Sequence, residues 1–134
     1  MNDSPKTLGR DHIVYALDRE SSPAMEIESG ETVVFETHDA RTGTIQSDDD
    51  LLLHPHPDGS NPATGPVQVR HSQPVDSLAV HILDITLADR AFIAVKKGVG
   101  LLSHRASETA TRVVDIRDDM VRYAHGIRFP IRPM

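Results

Sequence analysis

Cysteine is absent from all 134 residues. This removes disulfides, thiolate nucleophiles and Cys-ligated zinc together, so any metal bound here must be held by His and carboxylate ligands. A chain without covalent staples also suits the cytoplasm, where thiols stay reduced. Tryptophan is missing too, and aromatic residues make up only 4% of the chain. The core must therefore come from Val, Ile, Leu and Ala, thin and mostly branched side chains that suit a pleated sheet.

Positive charge is in deficit. Lys and Arg total 14 against 20 Asp and Glu, a formal charge of -6, which argues against phosphate backbones and so against a nucleic-acid partner. Long hydrophobic runs are lacking as well. The most apolar stretch, Leu78 to Ile85, is broken by His81 and Asp84 and falls far short of the ~20 residues that cross a bilayer, which excludes a membrane-spanning protein. Residues 1–11 are polar, carry no apolar core of a signal peptide, and are expected to form a flexible N-terminal segment. Helical periodicity is scarce: the best stretch, Ser103–Thr111, holds few large apolar residues and is expected to be only a turn or loop.

What the chain does contain is short runs of β-branched character, each closed by Gly, Pro, Asp or Ser. They lie at Ile13–Leu17, Met25–Ile27, Thr32–Glu36, Val67–Arg70, Leu78–Leu87, Phe92–Val95, Val113–Ile116 and Met120–Tyr123. Short strands with frequent turns predict an all-β sandwich or barrel, and 134 residues fit a single domain over 12–134. Glu28-Ser29-Gly30-Glu31 separates two of these runs at hairpin spacing, so Met25–Ile27 and Thr32–Glu36 are expected to pair. Between Gln46 and Gly65 the chain makes a long excursion rich in Asp, His and Pro, and loops of this length inside a domain tend to be functional or disordered.

Several of these segments carry a resemblance. Asn61-Pro62-Ala63-Thr64-Gly65-Pro66-Val67 resembles the N-P-x-T-G-P segment of the acetamidase/formamidase family, where it runs into a strand. Ser29-Gly30-Glu31-Thr32-Val33 is similar to that family's G-D-x-V turn, and Phe35-Glu36-Thr37-His38-Asp39-Ala40 to its F-E-T-x-D-A strand end. Asp76-Ser77-Leu78-Ala79-Val80 resembles the family's G-D-x-L-A-V entry to a long strand, Gly98-Val99-Gly100 its glycine-rich turn, and the stretch from Pro130 to Met134 its P-x-R-P-M. Glu31 stands where the family has Asp, and Val75 where it has Gly.

The resemblance implies a jelly-roll-like β-sandwich and hydrolysis of short-chain amides such as formamide and acetamide to a carboxylate and ammonia. In the family the P-x-R-P-M stretch leads into roughly another half of the protein, so the chain is expected to be an N-terminal portion or subunit. It is then expected to be no monomer, but a homo-oligomer or the partner of a complementary C-terminal half chain, with strands such as Leu78–Leu87 or Phe129–Ile131 adding across the boundary. Two other readings stand beside this one: a non-catalytic β-sandwich that serves as an interaction or regulatory subunit, and a fragment with no independent role.

Amide hydrolysis without a Ser or Cys nucleophile calls for an activated water, which a divalent metal such as zinc or calcium can supply. His38 and Asp39 end an expected strand, and the resemblance marks Asp39 as part of the family's site region. Alternation along a strand lets only one of the two face a given pocket, and Asp39 is the choice for the catalytic carboxylate. It can equally head a turn into Arg41-Thr42-Gly43. Asn61 and Thr64 can orient a substrate amide, or close an Asx-type turn before Pro62. His54 and His56, one residue apart on the Pro-rich loop with Asp58 and Asp48–Asp50 nearby, can join His38 and Asp39 as metal ligands, or form a solvated loop. His12, His71, His81, His104 and His125 are scattered without ligand spacing, and Ser103-His104 has no nucleophile context.

Overall fold

Apolar residues that come in short runs, each closed by a turn former, cannot sustain an amphipathic helix and instead make brief strands. The computed structural model describes residues 4–52 and 59–132, and it is all-β: the only helical turns among the described residues are two single 3₁₀ turns, Ser103–Arg105 and Ala124–Gly126. By contact these residues gather into two units, 4–43 with 59–78, and 44–52 with 79–132.

The first unit is held by three strand pairs. β1 (Lys6–Leu8) runs parallel to β4 (Val33–Phe35), β2 (Ile13–Val14) antiparallel to β5 (Ala63–Thr64), and β3 (Met25–Ile27) parallel to β6 (Val67–Val69). Within the N-terminal segment expected to be flexible, Lys6–Leu8 thus forms a strand, and Leu8 is 2% exposed. A single apolar residue between polar neighbours gave no periodicity to read.

The expected hairpin between Met25–Ile27 and Thr32–Glu36 does not form. Glu31 N–H does bond to the Glu28 carbonyl at 3.2 Å, and Gly30 takes φ 90. Positive φ at the third residue makes this a type II turn, whose twist splays the flanking strands instead of pairing them. Each strand finds a distant parallel partner: Arg70 N–H bonds to Ile27 O at 2.8 Å, and Lys6 N–H to Thr32 O at 3.3 Å.

The second unit is a four-stranded antiparallel sheet in the order β10 (Arg128–Pro130), β9 (Met120–Arg122), β8 (Ala110–Arg117), β7 (Arg90–Val95). Register sets Ala91 opposite Val114, Ile116 opposite Val121 and Val121 opposite Phe129, so these apolar residues share one face. Val114 and Val121 are 4% and 9% exposed, and Ile45 of the same unit is also buried. Asp118-Asp119 links β8 to β9 with φ 53 and 56, the left-handed pair of a type I′ hairpin turn that follows the twist of its strands. Asp48 caps the open side of β8: one carboxylate oxygen accepts from Val113 N at 2.7 Å, the other meets Arg112 Nη1 at 2.9 Å.

The strand expected at Leu78–Leu87 is not formed. Every residue of this segment is exposed, and no strand of the described residues pairs with it. Its alternation is that of a strand, but the faces and partners it calls for are not supplied by the described residues.

Candidate active site

β4 stops at Phe35, four residues before Asp39, so His38 and Asp39 lie in a loop and do not end a strand as expected. The alternation argument that set them on opposite faces therefore does not apply. Asp39 organises the turn that follows this loop. Its Oδ1 accepts from the backbone N–H of Arg41 at 2.7 Å and of Gly43 at 3.0 Å, while Thr42 N–H returns to Asp39 O at 3.1 Å. Thr42 and Gly43 follow with φ 53 and 74, a tight left-handed turn that the aspartate side chain organises. Asp39 thus heads a turn, and its side chain is exposed; His38 is half-buried.

A second segment closes on this loop from the other side of the long excursion. Thr64 Oγ1 donates to Glu36 O at 2.8 Å, and Asn61 N–H donates to Ala40 O at 3.0 Å. Gly65 N–H anchors the far end on His12 O at 3.0 Å, beside the β2–β5 pair. Asn61 adopts φ 60, a left-handed conformation that asparagine tolerates better than most residues. Among the described residues its side-chain amide has no hydrogen-bond partner, so the Asx-type turn expected as its alternative role is not made there. These two bonds clasp residues 36–40 to residues 61–64, the adjoining segments that carry His38, Asp39, Asn61 and Thr64.

His54 and His56 lie outside the described residues. Among those described, no group of three His, Asp or Glu side chains is close enough to hold a metal ion. The aspartate run near the histidines is occupied otherwise. Asp48 is bound to β8 as above, and Asp50 Oδ2 accepts from Gln46 N at 2.9 Å and Ser47 N at 2.8 Å, bonds that hold its carboxyl below the usual carboxylate range.

Sequence reasoning missed the acceptors that make the clasp, the carbonyls of Glu36 and Ala40, because backbone groups leave no mark on residue type. It also missed Tyr15, whose ring lies 3.0 Å from where a Cβ on Gly59 would stand, so that Gly59, at φ 110, carries no side chain for steric as well as conformational reasons. A shallow depression in the same unit is lined by Asp11, His12, Ser21, Pro23 and Gly65 among others, but by none of the four clasp residues. Its Asp11–His12 pair, 3.1 Å apart, is well exposed. The clasp, by contrast, carries the residues of the family motifs.

Residues 16–134 match the model of the Acetamidase/Formamidase family. The chain belongs to this family. Among solved structures, an acetamidase from Bacillus halodurans matches with a TM-score of 0.91 and 31% identity, over 96% of this chain and 43% of that one. A recombinant predicted acetamidase/formamidase from the thermophile Thermoanaerobacter tengcongensis matches with 0.90 and 34%, over 97% and 43%. An acetamidase from Yersinia enterocolitica, at 0.69 and 19% over 97% and 44%, shares the fold. Among curated proteins nothing matches. The family resemblance carried by Asn61–Val67 and its neighbouring motifs is borne out, as is the all-β fold class it implied. The chain spans less than half the length of each of these solved structures.

Proposed function

We propose that this chain is the site-bearing portion of an amidohydrolase that cleaves short-chain amides, formamide and acetamide, to a carboxylate and ammonia, and that it works with the part of the family fold it does not span. The observation that carries this reading is the clasp: Thr64 on Glu36 and Asn61 on Ala40 join two segments far apart in sequence around the Asp39 turn. In a chain of this family, a carboxylate, a carboxamide and a hydroxyl carried on two segments that the structure joins are the groups that amide recognition and water activation require.

The roles follow from which atoms are already used. Asp39 Oδ1 is held by two N–H groups, which orients the carboxylate, and Oδ2 is the oxygen that takes a proton from the attacking water and returns it to the leaving nitrogen. Asn61 offers both a donor to the substrate carbonyl and an acceptor for its N–H. The Thr64 hydroxyl spends its proton on Glu36 O and so can only accept from the substrate.

For a divalent metal, zinc or calcium, the described residues do not fit alone, since they supply no group of three ligands. Such an ion enters the proposal only with His38 and Asp39 joined by His54 and His56, or by the part of the fold not spanned here, and no step is derived through it. The ion would supply an activated water. A cytoplasmic location and an oligomeric state belong to the same proposal. Among the described residues no helix is long and apolar enough to cross a membrane.

One observation favours the rival reading of a non-catalytic interaction subunit: the bonds that Asp39 makes here are those of a turn former. The two readings part on the charge of Asp39. In a complex reconstituted with the remaining part of the fold, Asp39→Asn keeps an acceptor for the turn but lacks a base, and ammonia release from formamide and acetamide should fall by well over roughly tenfold. Unchanged turnover would assign Asp39 to the turn alone.

A further inference from the structure

β1–β4 and β3–β6 are separate two-stranded pairs, and among the described residues no ladder joins one to the other. A cluster of charged side chains crosses between them instead. Lys6 of β1 sets its Nζ 2.8 Å from Glu31 Oε2 and 3.5 Å from Glu26 O. Arg70, directly after β6, meets Glu26 Oε2 through Nε at 3.1 Å and Glu28 Oε1 through Nη1 at 3.5 Å.

Glu31 serves both pairs at once. Its Oε2 accepts from Glu28 N–H at 2.7 Å, which closes the turn leaving β3, and from Lys6 Nζ, which holds the first residue of β1. An exposed ion pair is ordinarily worth little, because two long side chains must be fixed for a weak attraction in water. Here the Glu28 bond already fixes the Glu31 side chain, so less rotamer freedom is left to lose when Lys6 binds.

Main-chain bonds carry the position of β1 to the clasp. Leu8 O, at the other end of β1, accepts from Glu36 N–H at 2.9 Å, and Glu36 O accepts from the Thr64 hydroxyl at 2.8 Å. Lys6 N–H starts the same pair with a long bond to Thr32 O, 3.3 Å. A two-stranded pair of three residues each is marginal by itself, so an interaction at its head can set how firmly its far end is held.

We propose that Glu31 is a positioning residue for the clasp: its ionised carboxylate, through Lys6, holds β1 against β4 and thereby fixes the Glu36 backbone that receives Thr64. The proposal rests on the reading of the clasp as the site and adds a charge-dependent control of it. The charged groups of the surrounding elements are Lys6 from β1, Glu26 and Glu28 from β3 and its turn, and Arg70 from the end of β6; β4 carries none before Glu36, which follows it. Lys6 foremost, and then Glu28 N–H, hold the Glu31 carboxyl below the ordinary glutamate range. With the folded-state value lowered, the hold is complete above the ordinary glutamate pKa and is lost as pH falls through the lowered one. Salt should weaken it too, since these ions are exposed.

Amide hydrogen exchange on the full chain tests this. Near neutral pH and at low salt, Glu31→Gln, whose side-chain oxygen can still accept from Glu28 N–H, should speed exchange at Glu36 N–H by about two- to fivefold, the scale of an exposed ion pair. Lys6→Met should do the same, and the double variant should add nothing, because both changes remove one interaction. Sodium chloride at about 1 M should speed the same amide in the wild type and leave it unmoved in either variant. Glu31→Asp, which keeps the charge, should restore part of the protection, and in the wild type the Glu36 amide should respond to pH with the midpoint of the Glu31 carboxyl. Equal exchange at Glu36 in the wild type and Glu31→Gln would overturn the proposal. So would an equal speed-up of every amide in residues 4–43, which would mean a general loss of stability, or a pH step that persists in Glu31→Gln, which would belong to another carboxyl. None of these readouts is ammonia release, so their failure would strike the positioning role alone, whereas unchanged turnover in Asp39→Asn would strike the proposed function and leave the Glu31 result standing.

Discussion

The hydroxyl of Thr64 and the carbonyl oxygen of Glu36, 28 positions apart in sequence, are 2.8 Å apart in the structure. This bond closes the clasp between the segments that carry Asp39, Asn61 and Thr64, so it should be measurable in stability before any activity is considered. Thr64→Val keeps the shape and removes the donor, and should cost about 1 kcal/mol in urea unfolding, whereas Thr64→Ser should cost less. A valine variant as stable as the wild type would place the hydroxyl outside the clasp.

Asp39 offers a separation of charge from geometry. Asp39→Asn keeps an acceptor for the N–H groups of Arg41 and Gly43, and Asp39→Ala keeps none. Alanine should therefore destabilise by roughly 0.5–2 kcal/mol, as lost side-chain caps do, while asparagine should stay within a few tenths. Equal unfolding midpoints for the two variants would mean that the side chain does not hold the turn.

Val75 carries strain that can be removed. Its φ of 79 is a conformation that β-branched residues rarely adopt, and it is fully exposed, so no packing offsets the cost. Strain of about 1–3 kcal/mol outweighs the roughly 0.5–1 kcal/mol that glycine adds in unfolded-state entropy. Val75→Gly should raise stability by about 1 kcal/mol in thermal or urea unfolding. Destabilisation would show that the turn is not strained.

Much of this was legible in the sequence, and the failures have physical causes. Met25–Ile27, Val67–Val69 and the runs within β8 and β9 announce themselves because branched residues fall between clear turn formers. Pairing partners do not, since β1–β4 and β3–β6 are parallel and joined by long connections, and the Ser29-Gly30 turn suggested a neighbour that its own φ forbids. Leu78–Leu87 read as a strand because branched apolar residues recur along it, yet no strand of the described residues pairs with it. At the site, Asp39 was readable as turn former and as candidate base because both roles use a short carboxylate. The bonds of Asn61 and Thr64 to backbone carbonyls were not readable, as any residue supplies a carbonyl. The metal role given to His54 and His56 falls outside the described residues.

Asp50 predicts a pH response. Hydrogen bonds from Gln46 N, Ser47 N and Ser47 Oγ favour its charged form and hold its carboxyl below the ordinary aspartate range. A folded-state value below the unfolded one means that this stabilisation is fully present above the ordinary aspartate pKa and is lost as pH falls through the lowered one. Carboxyl NMR titration should show Asp50 as a late-protonating aspartate, and Asp50→Asn should flatten that part of the acid-unfolding curve. An ordinary titration would mean that these bonds do not persist in solution.

The central claim is that these residues hold half of an amide-hydrolysing site and need the rest of the fold to use it. Ammonia release from formamide and acetamide, measured beside light scattering on the same samples, tests it most directly. The account predicts little or no release by the isolated chain, and release once the complementary polypeptide is bound. A well-behaved monomer with full amidase activity would contradict it, as would a stable complex that leaves both amides intact.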